Sequence, residues 1–187
     1  NVDAYFALRA AEKAGITSTG HTALGEAISK HLYIAKERRY AQGLQGTRQD
    51  TVSALDAAGS WTALFELAVG RPQRASDMLR WLERHHTIDD GGWAGYKPYR
   101  QGPDVWFVEG SLAIALARHR LGRLNPAKQL TAEAAALSCV AGRPLLYSTS
   151  WAKDFPATPV AAPTLWFALV AKEIDAGGEP FLWPISQ

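Results

Sequence analysis

Cysteine is almost missing from this chain of 187 residues: there is one, Cys139, so no internal disulfide framework can staple the fold. In its context, AEAAALSCVAG, it reads as a small buried apolar residue rather than a nucleophile. An excess of one charge is lacking too. The 20 Lys and Arg nearly balance 18 Asp and Glu, for a net charge of +2, which gives no case for a nucleic-acid partner. The clustered cations Lys36, Arg38 and Arg39 read as the solvated side of an amphipathic stretch. No apolar run approaches the ~20 residues that a membrane span needs. The five histidines, His21, His31, His85, His86 and His119, contain neither an HExxH nor an HxxxH spacing, so no dedicated zinc site is expected. GGWAG lacks the Lys and the preceding strand of a phosphate loop, and no GxSxG elbow occurs. Asp89-Asp90 before Gly91-Gly92 reads as a turn, with too few oxygen ligands for a calcium loop. No cofactor and no metal are therefore expected. A signal peptide is also missing, but NVDAYFALRAAEKAG begins already in a helical pattern, as an internal start would, and the compartment stays open.

What the chain does have is apolar content, 47% against 20% charged, enough for one sizeable core and a single domain over 1–187. Its periodicity predicts helices almost throughout, alternating in kind. One kind is apolar nearly all round: 1–15, 51–70, 103–122 and 162–178. The other is amphipathic: 21–43, 71–86 and 125–142. Helices apolar on every side are buried and amphipathic ones cover them. The pair recurs about every 50–55 residues, the size of a helix hairpin with its loops. The expectation is an all-α fold, an α/α toroid of about seven helices in alternating inner and outer layers. A closed ring of six hairpins needs roughly 300 residues or more at this period, so the chain reads as part of one.

Three long connections, AQGLQGTRQDTVS, HHTIDDGGWAGYKPYRQGPD and AGRPLLYSTSWAKDFPATPVAAP, all precede inner helices. Long loops in a compact domain usually carry function. These are rich in acids and aromatics, which together suit a sugar: ring faces stack on pyranoses, and carboxylates bond hydroxyls or exchange protons.

The segments NVDAYFAL, ALDAAGSW, VWFVEGSLAIALA and TPVAAPTLWFALVAKEIDAGGEPF resemble the C-terminal half of bacterial proteins of the six-hairpin (α/α)6 glycosidase-like class. The resemblance implies that an N-terminal half with the remaining hairpins lies outside this chain, and that a pocket lies at the N-termini of the inner helices. It implies a carbohydrate-active enzyme, a glycoside hydrolase in the first reading. Polysaccharide lyases, non-catalytic carbohydrate-binding toroids and cyclase-type toroids are the rivals.

Within that frame, Glu109, in the first turns of an apolar helix, is the first candidate for acid or base, because partial desolvation raises a carboxyl's pKa toward a working range. Asp104 is a candidate either as a helix cap or as a pocket acid. Asp56, alone in an apolar helix, has to be paired or face a cavity. Asp3 is its counterpart one hairpin earlier, assigned to substrate binding. Trp93, Tyr96, Tyr99, Trp106 and Trp151 are the expected sugar-contacting aromatics. The expected partners are an oligo- or polysaccharide and, on the open flank, the missing half or another chain.

Overall fold

The computed structural model describes residues 1–16, 20–90, 92–139 and 144–176. Helices α1 (Val2–Lys13) and α2 (His21–Leu32) form a first hairpin. Two β-hairpins follow, β1 (Tyr33–Ile34) with β2 (Arg39–Tyr40), and β3 (Gly43–Gln45) with β4 (Arg48–Asp50). The short α3 (Leu55–Ala58) leads to α4 (Trp61–Ala68) and α5 (Pro72–His85). A third β-hairpin, β5 (Thr87–Asp90) with β6 (Trp93–Tyr96), precedes α6 (Val108–Arg120), α7 (Leu124–Cys139) and α8 (Ala161–Ala176). Helices α1, α4, α6 and α8 pack side by side in a row, with α2, α5 and α7 behind their hairpin partners. Among the described residues, no helix is long and apolar enough to cross a membrane.

The all-α toroid expected from the periodicity is therefore corrected. The fold is helix-rich but carries three two-stranded antiparallel sheets, each in a segment between helices. The stretch 33–42 shows why. Its spacing continues the apolar stripe of α2, yet the chain turns back at Arg38 (φ 55°) and pairs Tyr33 with Tyr40. Tertiary contacts override the local pattern: the Tyr40 hydroxyl donates to the buried Glu66, and the Arg74 guanidinium lies 4.4 Å from the centre of the Tyr33 ring. Asp89 and Asp90 belong to a hairpin strand, and Asp89 Oδ1 accepts the Gly92 N–H at 3.0 Å across the turn.

The expected helix 51–70 is broken at Gly59, where a Cβ would sit 2.8 Å from Leu82 Cδ1, so α5 presses too closely for any other residue. The core centres on α4 and α6. Leu112, Ile114 and Leu116 of α6 are all essentially inaccessible, each contributing roughly 1.5–3 kcal/mol by burial. Two buried charge networks tie the elements together. Glu66 takes Arg71 Nε at 2.8 Å as well as the Tyr40 hydroxyl, joining α4 to β2 and the start of α5. Arg120 grips Glu173 with two bonds of 2.7 and 2.9 Å, joining α6 to α8, with both side chains 1% exposed.

Candidate active site

Three carboxyls stand in the first turns of α1, α3 and α6: Asp3, Asp56 and Glu109. Loop-to-loop pairing joins the starts of α3 and α6, and α1 packs against α4 beside them. The segment before α3 pairs with the loop after β6: Leu55 N–H donates to Pro98 O at 2.7 Å, Arg100 N–H to Ser53 O at 3.0 Å, and Ala54 bridges Tyr99. The segment before α6 pairs with the loop before α8: Val108 N–H donates to Tyr147 O at 3.2 Å, Trp106 N–H to Thr149 Oγ1 at 3.0 Å, and Phe107 bridges Ser148. The loop from 97 to 107 thus links the segment leading into α3 to the start of α6, where the loop before α8 sets Tyr147 alongside. Four rings fill the junction. Tyr147 stacks on Phe155 (5.7 Å, 7°), Phe107 meets Tyr147 edge-on at 5.2 Å, and Tyr99 meets Phe155 at 5.9 Å.

Asp56 Oδ1 accepts a bond of 3.1 Å from Ser60 Oγ, a fully buried hydroxyl four residues on. Burial pushes the Asp56 carboxyl up to about 7; the Ser60 bond opposes this, and the charges of Glu109 and Asp3 add to it. Glu109 is raised for the same first reason, burial, with the Trp166 side chain holding its carboxylate and Asp3 repelling it. Asp3, at the rim, is raised by desolvation. Tyr147 is raised by burial and by the charges of Glu109 and Asp56. Asp56 and Glu109 are each perturbed by burial plus another carboxyl, the pattern that functional clusters of acids share.

Beside Asp56 and Asp3 opens a cavity of about 250 Å³, walled also by Gln42, Trp61, Thr62 and Leu32. Trp61 packs against Trp166 with ring centres 5.4 Å apart, so an indole pair runs from this cavity to Glu109. Among the described residues, no group of three His, Cys, Asp or Glu side chains is arranged to hold a metal ion.

Of the candidates read from sequence, Glu109, Asp56 and Asp3 meet in this cluster, with Tyr99 in the ring junction beside it. The others stand elsewhere. Asp104 neither caps a helix nor joins the pocket: α6 starts four residues later, at Val108, and the Asp104 carboxylate is 75% exposed and paired with Lys97 Nζ at 2.8 Å. Trp106 is core, 0% exposed, its indole N–H donating to Ser111 Oγ at 2.7 Å; a Cβ on Gly95 would land inside its ring. Tyr96 is 3% exposed, its hydroxyl accepting from Arg118 on the α6–α7 side. Trp151 lies 76% exposed in a turn closed by reciprocal Ala152–Phe155 backbone bonds of 3.0 Å. The Trp93 side chain lies outside the described residues, as does that of Cys139. Sequence reasoning missed Ser60 and Gln42 and left Tyr147 and the Trp61–Trp166 pair without a role. The one usable signal was that Trp61 and Trp166 both sit near the start of an apolar helix in the same motif class as Asp56. No protein-family model, curated protein sequence or solved structure matches the chain.

Proposed function

We propose that this chain is part of a carbohydrate-active enzyme, a glycoside hydrolase kin to the bacterial glycosidase-like proteins its motifs resemble. The observation that carries the reading is Asp56, a carboxyl held near pKa 7 between two other carboxyls at the edge of an indole-lined cavity. At neutral pH a large fraction of Asp56 keeps its proton and donates it to the leaving glycosidic oxygen. Glu109 is the second carboxyl; burial raises it and the Trp166 side chain favours its carboxylate form, the form that activates water or attacks the anomeric carbon. Trp61 and Trp166 supply the ring faces on which a pyranose stacks. The same carboxyls argue against a lyase in which tyrosine is the base, because they push the Tyr147 hydroxyl away from ionisation. The flank of α8, where Leu165 is exposed, suits cover by the remaining half of a longer protein or by another chain.

The test is reducing-end release from a panel of α- and β-glucans, mannans and uronate polymers by the protein, Glu109→Gln and Asp56→Asn. Hydrolysis lost in both variants with binding retained supports the reading. Binding without turnover by the unaltered protein leaves a carbohydrate-recognition module, and an unsaturated, ultraviolet-absorbing product moves the assignment to a lyase.

A further inference from the structure

We infer that the cavity beside Asp56 accepts a single sugar ring that is neutral or amine-bearing, and rejects uronates. The inference rests on the glycan reading above and adds the charge class of the substrate. The cavity's 250 Å³ is below the roughly 300–1,000 Å³ typical of drug-sized ligands, room for one ring rather than two. One wall is the Trp61 indole, one carries Asp3 and Asp56, and Asn1, Gln42 and Thr62 supply neutral polar groups. Among the described residues, no Lys, Arg or His side chain lines it. A uronate seated here sets its own carboxylate against two acids with no side-chain cation to compensate, the arrangement by which sites reject wrong partners. A hydroxymethyl group in its place meets the same acids as hydrogen-bond acceptors, and an amine meets them as counter-charges. The direction of the neighbouring groups agrees. The charges that act on Asp56 are those of Glu109 and Asp3, and for Glu109 that of Asp3, so negative potential covers both sides of Asp56.

Saturation-transfer NMR on the full chain at pH 8, with the methyl glycosides of glucose, glucosamine and glucuronate as probes, tests this directly. The neutral and amine-bearing glycosides are expected to bind, and the glucuronide to bind at least about tenfold more weakly, since one pKa unit of repulsion is a factor of ten. Trp61→Ala removes the neutral-sugar signal. The double variant Asp3→Asn, Asp56→Asn brings the glucuronide to within a few-fold of the glucoside. Should that variant fail to fold, the unaltered protein serves, because lowering the pH from 8 to 5.5 protonates Asp56 while the glucuronide stays charged, and the preference narrows. Equal or tighter glucuronide binding at pH 8, a preference that does not change with pH, or no binding of any probe overturns the inference. The two readings fail separately. Sugar binding with this preference but no turnover of any glycan removes the hydrolase and keeps the charge selectivity, whereas hydrolysis of a uronate polymer does the reverse.

Discussion

Replacing Asp56 by Asn is expected to stabilise the protein at alkaline pH, and on the proposed hydrolase reading to end turnover as well. Burial raises the Asp56 pKa from 3.8 to about 7, a shift of roughly three units. An acid whose folded pKa lies above its unfolded one binds its proton more tightly in the native state, so the native state loses stability as pH rises from about 4 through 7. At 1.36 kcal/mol per unit, the ionised carboxylate costs the fold up to about 4 kcal/mol at pH 8. Water entering the cavity screens part of this, which makes about 2–4 kcal/mol the working range. Asn keeps the size of the side chain and an oxygen for the Ser60 hydroxyl, so the 3.1 Å bond survives the change. Urea denaturation of both proteins between pH 4 and pH 8.5 is the assay. The curves should coincide at pH 4 and diverge progressively above it, with Asp56→Asn the more stable. A variant equally stable or less stable at pH 8, or a difference independent of pH, refutes the claim that Asp56 is held as a desolvated acid.

Ser60→Ala removes the donor that favours the ionised form of Asp56, so the Asp56 carboxyl, followed by carbon-13 NMR, should titrate higher than in the unaltered protein. An unchanged or lower midpoint contradicts the assigned bond. His86 is fully buried, bonded to Ser53 Oγ at 2.8 Å and Lys97 O at 3.0 Å, and burial lowers its pKa to about 4. For a base with a depressed folded pKa the sign is opposite to that of Asp56: stability is full above pH 6.5 and falls by up to about 3 kcal/mol as pH drops through 4. Asp56→Asn should therefore uncover a steep acid slope between pH 4 and 6.5 that Asp56 masks in the unaltered protein, and His86→Gln should flatten it. Glu173→Gln leaves Arg120 buried without its counter-charge and should cost about 3–5 kcal/mol in urea, while Arg120→Met with Glu173→Leu should recover most of that loss.

The helix α5, expected at 71–86 and found at Pro72–His85, was readable because proline at its start and a single apolar face leave little freedom. The β-hairpin at 33–40 was not, because it depends on Glu66 and Arg74, which lie far along the chain and attract Tyr40 and Tyr33 out of the helical pattern. The acids divide along the same line. Asp56 and Glu109 stood in apolar surroundings, a signal that survives in one dimension. Asp104 offered the same residue type one turn before a helix, and nothing local told that Lys97 would draw it outward. Trp61 and Trp106 were indistinguishable in sequence. What separates them is Gly95, whose missing side chain lets β6 close over one indole, whereas the other remains at a cavity wall.

The position of the three carboxyls makes their raised pKa values informative. The first turn of a helix favours a negative charge by roughly 0.3–1 kcal/mol, which on its own would lower an acid's pKa by a fraction of a unit. Asp3, Asp56 and Glu109 all move the other way, and Asp56 does so by about three units. For Asp56, desolvation and repulsion by the other carboxyls therefore outweigh the helix terminus several-fold. That balance is not a property of the helices, which would present the same acids to water if they stood alone. For Asp56 and Glu109 it comes from the strand-like pairings of 53–55 with 98–100 and of 106–108 with 147–149, which close the loops over the ends of α3 and α6. The bridged loops thus set the surroundings of Asp56 and Glu109, two acids that helix ends alone would leave in water.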